Sequence, residues 1–222
     1  MSSFKALIFD FNGLIVDDEP IHCELFQQVL NDEDIQLTEK DYWESYLGFD
    51  DKGLITAVYE REGKKITPKK MGELIHKKNE LYFPTLKNKL KFFPGVLDFI
   101  RDMKNKYPLA IVSGALFSEI EFVLKEGDIL DLFDPIIAAD HTKHGKPDPE
   151  GYMVAFAKLK KEMPDLLPES TLALEDSLAG IEAAKRAQLK VAALTHTYSA
   201  EKISPLKPDY LFDRFDQVRT VL

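Results

Sequence analysis

The apolar and polar positions of this chain fall into two regimes. Phe4 to Phe9 is apolar on both faces apart from Lys5, the pattern of a strand buried in a sheet. The run stops at Asp10, and Asn12, Gly13 and the acidic pair Asp17-Asp18 follow. From Pro20 to Leu90 the period becomes helical. His22, Leu25, Phe26, Val29 and Leu30 share one face. Tyr42, Trp43, Tyr46 and Leu47 form a second stripe behind a Thr38 cap, and Leu54, Ile55, Val58 and Tyr59 a third. Met71, Leu74, Ile75, Lys78, Leu81 and Tyr82 form a fourth, opened by Thr67 with Pro68 at the first helical position.

After Phe93-Pro94-Gly95, short apolar runs alternate with helical stretches. Strands are predicted at Leu109–Val112, Ile136–Ala139, Thr171–Leu174, Val191–Leu194 and Tyr210–Phe212. Helices are predicted at Val96–Lys104, Phe117–Lys125, Glu150–Lys161 and Leu178–Ala187, with a closing helix near Gln217. Strands alternating with helices imply a doubly wound α/β fold, a parallel sheet covered on both faces. The expected organisation is a Rossmann-like core of residues 1–16 and 93–222 with a helical cap domain inserted at 17–92. An insert after the first strand would stand over the carboxyl edge of the sheet, where such folds bind ligands, and act as a lid.

Composition narrows the function classes. Twenty-nine basic against 38 acidic residues give a net charge of -9, which disfavours nucleic acid and anionic membrane. No stretch approaches the roughly 18 apolar residues of a membrane span, and no signal segment opens the chain, so a cytoplasmic location is expected; a monomer is expected as well. The single cysteine, Cys23, reads as a small packed side chain.

The chemistry lies at the strand ends. The first strand ends in Asp10, the second in Ser113 and the fourth in Glu175-Asp176, and Gly145-Lys146-Pro147 occupies a loop between. A parallel sheet gathers these ends on one edge. Three carboxylates together call for a cation, and an all-oxygen set suits a hard ion such as Mg2+. A carboxylate can also accept a phosphoryl group, with a lysine and a hydroxyl holding the phosphate oxygens. Asp10 as nucleophile, Ser113 and Lys146 on phosphate, and Glu175 and Asp176 on the metal form one consistent set. Glu175-Asp176 also fits a helix cap for Leu178, and His141 and His144 read as solvated loop residues.

These strings resemble the haloacid dehalogenase superfamily: Asp10-Phe11-Asn12-Gly13-Leu14, IVSG with Ser113, GKPDP with Lys146 and LEDSLAGIEAAKRA with Glu175 and Asp176. Within it, the chain is similar to the β-phosphoglucomutase-like phosphatases, whose cap follows the first motif. The resemblance implies Mg2+ on Asp10, the Asn12 backbone carbonyl, Glu175 and Asp176. It implies phosphate on Ser113, Gly114 and Lys146, and a small phosphorylated metabolite, such as a sugar phosphate, as substrate. Lys78 in KKNELY matches a cap lysine of that subgroup. The segment from Gly48 to Lys52 lacks the arginine of the mutases, leaving Lys52 as a point-charge substitute.

Asn12 departs from the pattern. The family places its acid/base aspartate there, and an amide neither gives nor takes a proton usefully at neutral pH. Asn12 is then an introduced change, a natural residue with slow turnover, or one whose role passes to His22 or Asp17. A phosphometabolite-binding protein on a degenerate scaffold, and mutase or phosphonate-cleaving chemistry with Lys52 or Lys78, are the alternative functions.

Overall fold

The computed structural model describes residues 4–49 and 51–222. Met1–Ser3 of the expected core, and Asp50 of the Gly48–Lys52 segment, lie outside these residues. Among these residues six strands form one sheet: β1 (Ala6–Phe9), β2 (Leu109–Val112), β3 (Ile136–Ile137), β4 (Thr171–Glu175), β5 (Lys190–Leu194) and β6 (Tyr210–Phe212). Their order is β3-β2-β1-β4-β5-β6, and every pairing is parallel. The doubly wound α/β expectation holds.

The helices follow in chain order. The first stretch carries α1 (Glu19–Asn31), α2 (Glu39–Asp41), α3 (Asp51–Arg61) and α4 (Pro68–Lys89). The second carries α5 (Val96–Lys104), α6 (Phe117–Glu126), α7 (Glu150–Glu162), α8 (Leu178–Arg186), α9 (Ala200–Ile203) and α10 (Phe215–Val218).

The chain divides into two compact units, one joining the chain up to Asp17 with Lys91–Leu222, the other Asp18–Leu90. The two joins run side by side. Val16 bridges Phe92 antiparallel, Asp17 N–H donates to Lys91 O at 2.8 Å, and Phe93 N–H donates to Ile15 O at 3.1 Å.

In the sheet unit, β1 explains its own sequence. It lies between β2 and β4, and all four of its residues are fully buried. Ala6 and Ile8 pack with Tyr152 and Ala155 of α7 and Ile181 of α8. Side chains alternate along a strand, so Leu7 and Phe9 face the other layer. There the Phe9 ring meets Phe99 of α5 at 6.1 Å and Phe133 at 5.6 Å, both edge-on. A strand with helices on both faces has no polar positions to alternate with.

β3 is shorter than its apolar run. Its pairing with β2 ends at Val112–Ile137, and a single 3-10 turn over Ala139–His141 follows. Ala138 N–H donates to His141 Nδ1 at 3.2 Å, and Ala139 N–H leaves the ladder for Ala115 O at 2.9 Å. His141 therefore serves the turn.

The Asp18–Leu90 unit has its own core, in which Phe26 and Val29 of α1 meet Leu54 and Val58 of α3 and Leu74 of α4. Thr38 and Thr67 cap their helices by accepting from Asp41 N–H at 3.0 Å and Lys70 N–H at 3.2 Å. Tyr42–Tyr46 forms a π-helical turn with Tyr42 and Tyr46 buried. No helix among the described residues is long and apolar enough to cross a membrane.

Leu7 is fully buried on the central strand, so Leu7→Ala is expected to destabilise the protein by about 2–5 kcal/mol. Met153→Ala, at a side chain 56% exposed, should stay within about 0.5 kcal/mol. Urea unfolding measures both, and similar losses would contradict this account of the core.

Candidate active site

The strand order places β2, β1 and β4 side by side, so their carboxyl ends form one edge. Asp10 directly follows β1, and its N–H donates to Leu174 O at 3.0 Å. Beyond it the chain turns tightly, with Phe11 O accepting from the N–H groups of Leu14, Ile15 and Val16 at 3.3, 2.8 and 3.2 Å. Gly13 holds φ +75°, where side chains are disfavoured. A Cβ on it would stand 2.2 Å from Asp176 Oδ2. This turn brings Asn12 to Ser113, whose hydroxyl donates to Asn12 Oδ1 at 3.3 Å and accepts from Ala115 N–H at 3.0 Å.

Lys146 arrives on the loop before α7. That loop is fastened by Glu150, whose carboxylate accepts from Lys143 N–H at 3.1 Å and His144 N–H at 2.9 Å. The Lys146 ammonium lies 2.7 Å from Asp10 and 2.6 Å from Glu175. Glu175 closes β4 and is fully buried. Its Oε1 also accepts from Tyr152 OH at 2.6 Å. Its Oε2 accepts from Ser177 Oγ at 3.0 Å and from the N–H groups of Asp176 and Ser177 at 3.2 and 3.3 Å. Ser177, rather than either acid, caps α8 by accepting from Gly180 N–H at 3.0 Å.

Asp10, Glu175 and Asp176 are all buried, and one carboxylate oxygen from each lies within 4.8 Å of the others. Burial raises the Asp10 carboxyl to about 7, with Glu175 adding to the rise and Lys146 opposing it. Burial, then Asp10 and Glu175, also push Asp176 well above the carboxylate range. Burial works against the Lys146 charge, but Asp10 and Glu175 outweigh it and raise that lysine. With all three acids ionised, one ammonium would leave an excess of negative charge for a cation to offset. Asp176 Oδ1 is buried and has no hydrogen-bond partner among the described residues. A buried oxygen without a donor is costly unless a cation takes it, and an all-oxygen set suits magnesium.

Asp10, Asn12, Ser113, Lys146, Glu175 and Asp176 therefore come together at one edge. Gly114 is exposed beside Ser113, with open space around it. Lys52 and Lys78 belong to the Asp18–Leu90 unit. Lys52 is exposed on α3. Lys78 is buried, with its ammonium 2.5 Å from Asp51 and 4.5 Å from the centre of the Phe26 ring. Its place in an apolar stripe marks burial within its own unit. In that unit His22 stacks on Tyr82 at 5.1 Å and sits 3.2 Å from Asp18. Burial and Lys78 lower its pKa, but Asp18 and Glu19 together outweigh them and the net shift is upward. Asp17 pairs with Lys91 at 2.7 Å beside the joins. Cys23 is buried, and burial pushes its thiol up to about 11, so it is inert packing.

Two groups at the site escaped the sequence reading. Tyr152 sits in the apolar stripe of α7 and is fully buried, yet spends its hydroxyl on Glu175. Thr197 lies in the Thr195–Tyr198 loop after β5, and its hydroxyl donates to Asp176 Oδ2. The only signal for the second is that a short polar run follows a buried strand at the same sheet edge.

The fold and this edge define a hydrolase class. The chain belongs to the haloacid dehalogenase-like hydrolase family, whose model matches residues 7–194. It is 26% identical to the phosphorylated carbohydrates phosphatase of Thermotoga maritima over 96% of this chain and 99% of that one. It is 29% identical to the β-phosphoglucomutase of Bacillus subtilis over 82% of this chain and 80% of that one. The crystal structure of CbbY from Rhodobacter sphaeroides in complex with phosphate matches with a TM-score of 0.81 at 25% identity, covering 97% and 96% of the two chains. The β-phosphoglucomutase-like resemblance of the motifs agrees with these relatives.

The Asp10 shift has a consequence for stability. Its folded value of about 7 stands above an unfolded value near 3.9, so the folded state holds this proton more tightly. The contribution is fully present below about pH 4 and is lost as pH rises through about 7. Melting temperatures in chelator should carry this decline, and Asp10→Asn should flatten it. A profile that Asp10→Asn leaves unchanged between about pH 4 and 7 would show that burial does not penalise this carboxylate.

Proposed function

We propose that this protein is a magnesium-dependent phosphatase of a small phosphorylated metabolite, a sugar phosphate by preference, acting through an aspartyl-phosphate on Asp10. The observation that carries the reading is the setting of Asp10. It is buried at the carboxyl end of the central strand, 2.7 Å from the Lys146 ammonium and grouped with Glu175 and Asp176. The carbohydrate-phosphate phosphatase among its relatives supports the substrate class.

In the first step an Asp10 carboxylate oxygen attacks phosphorus, and the bond from phosphorus to the ester oxygen breaks. Water then attacks the same phosphorus, its proton passing to solvent, and the bond to Asp10 breaks, returning the carboxylate and releasing phosphate. Lys146 and the Ser113 hydroxyl hold phosphoryl oxygens, and Gly114 offers an exposed backbone beside them. Asp10, the Asn12 carbonyl and Asp176 would hold Mg2+, with Glu175 beside them. When bound, the ion neutralises the clustered carboxylates and the charge developing on the phosphoryl oxygens. Burial and Glu175 favour the neutral form of Asp10, and Lys146 opposes them by favouring the ionised form that attacks.

The leaving oxygen needs a proton, and since Asn12 cannot supply one, the proton comes from solvent water. Its amide oxygen accepts from Ser113 instead. Turnover is therefore slow by on the order of 100- to 10,000-fold relative to a carboxylate at that position. The same observation favours a second reading, in which the protein binds a phosphorylated metabolite without useful turnover.

Magnesium-dependent phosphate release from a panel of sugar phosphates tests both readings. Asp10→Asn is expected to abolish release, and equal rates in the two proteins would remove Asp10 as nucleophile. Asn12→Asp is expected to raise turnover at least about tenfold. No rise, with magnesium and the phosphate ester still bound, would select the binding protein.

A further inference from the structure

Thr197 belongs to no motif of the site, yet it touches Asp176, an acid of the site with a buried oxygen that has no donor among the described residues. Its hydroxyl donates to Asp176 Oδ2. The other oxygen, Asp176 Oδ1, is buried with no hydrogen-bond partner among the described residues. A carboxylate with one oxygen pinned presents the other in a fixed direction. Gly13 makes the pairing possible, since a Cβ there would stand 2.2 Å from Asp176 Oδ2 and 2.7 Å from Thr197 Oγ1.

The loop that carries Thr197 is itself fastened. Thr195 N–H donates to Phe212 O at 2.9 Å, and Thr195 Oγ1 donates to Asp213 at 2.9 Å. His196 Nδ1 reaches Gly13 O at 3.2 Å, and its ring stacks on Phe93 at 4.1 Å and 6°. Neighbouring residues of one loop thus grip both the turn after β1 and the acid after β4.

We propose that Thr197 is a positioning residue for cation binding: its hydroxyl fixes Asp176 so that Oδ1 would be held ready to take an ion. The assignment rests on the reading of Asp176 as a magnesium ligand. Partners of this kind, one bond removed from the ion, usually change metal affinity by about 10- to 100-fold when removed. Thr197→Val keeps the shape of the side chain and removes the donor, and Thr197→Ser keeps the donor.

Calorimetric titration of the full chain with Mg2+, with melting temperatures in chelator alongside, tests the assignment. Thr197→Val is expected to weaken Mg2+ binding about 10- to 100-fold and to lower the chelator melt because Asp176 Oδ2 loses its donor, and Thr197→Ser to stay within about threefold of the parent affinity. Thr197→Ala carries the Val expectation should Val fail to fold. Parent-like Mg2+ affinity in Thr197→Val or Thr197→Ala overturns the assignment. Asp176→Asn separates it from the reading beneath it. Lost affinity there, with intact affinity in Thr197→Val, sinks the positioning role alone. Intact affinity in Asp176→Asn sinks the metal reading together with it.

Discussion

The contact on which this site depends is the Lys146 ammonium between Asp10 and Glu175. Two carboxylates from adjacent strands would repel each other in a buried place, and at these distances a low-dielectric surrounding magnifies the repulsion. Lys146 meets both, at 2.7 and 2.6 Å. That ion pair ties the loop before α7 to the ends of β1 and β4. Its geometry sets further requirements. The loop must be held, which Glu150 does through backbone N–H groups. Tyr152, one turn into α7, must reach the same Glu175 oxygen. Gly180 must lack a side chain, because a Cβ there would lie 1.8 Å from Glu175 Oε1. Residues of α7, β4 and α8 are thus fixed by one buried charge balance.

Much of this was legible in the sequence for a physical reason. A parallel sheet aligns its carboxyl ends, so polar residues that stop buried apolar runs must gather. Asp10, Ser113 and Glu175-Asp176 needed only that rule and the strand assignments. Lys146 needed the additional argument that a phosphoryl group received by Asp10 calls for a cation on its oxygens.

What stayed hidden was carried by residues whose local pattern says something else. Tyr152 occupies an apolar position of α7, and periodicity cannot reveal that its hydroxyl serves Glu175. Lys78 stands in an apolar stripe of α4, and only the structure shows its ammonium spent on Asp51 and the face of Phe26. β3 read as four residues because Ala138 and Ala139 are apolar, yet the ladder ends where Ala139 N–H turns to Ala115. Thr197 was invisible because no periodicity governs a loop.

The adjacent acids Glu175 and Asp176 look interchangeable in sequence and are opposites in structure. Glu175 accepts from Lys146, Tyr152, the Ser177 hydroxyl and two backbone N–H groups, so both its oxygens are engaged. Asp176 accepts from Thr197 on one oxygen, and the other has no donor among the described residues. A cation drawing on Glu175 must compete with donors already in place, whereas one drawing on Asp176 relieves an unpaired buried oxygen. The division follows from alternation along the chain. Glu175 is still in the strand and turns toward α7 and α8, where donors are dense. Asp176 is past the strand and turns toward Gly13, where the absence of a side chain leaves room for its carboxylate and the Thr197 hydroxyl. The first acid has every oxygen engaged by donors, and the second keeps a buried oxygen with no donor among the described residues.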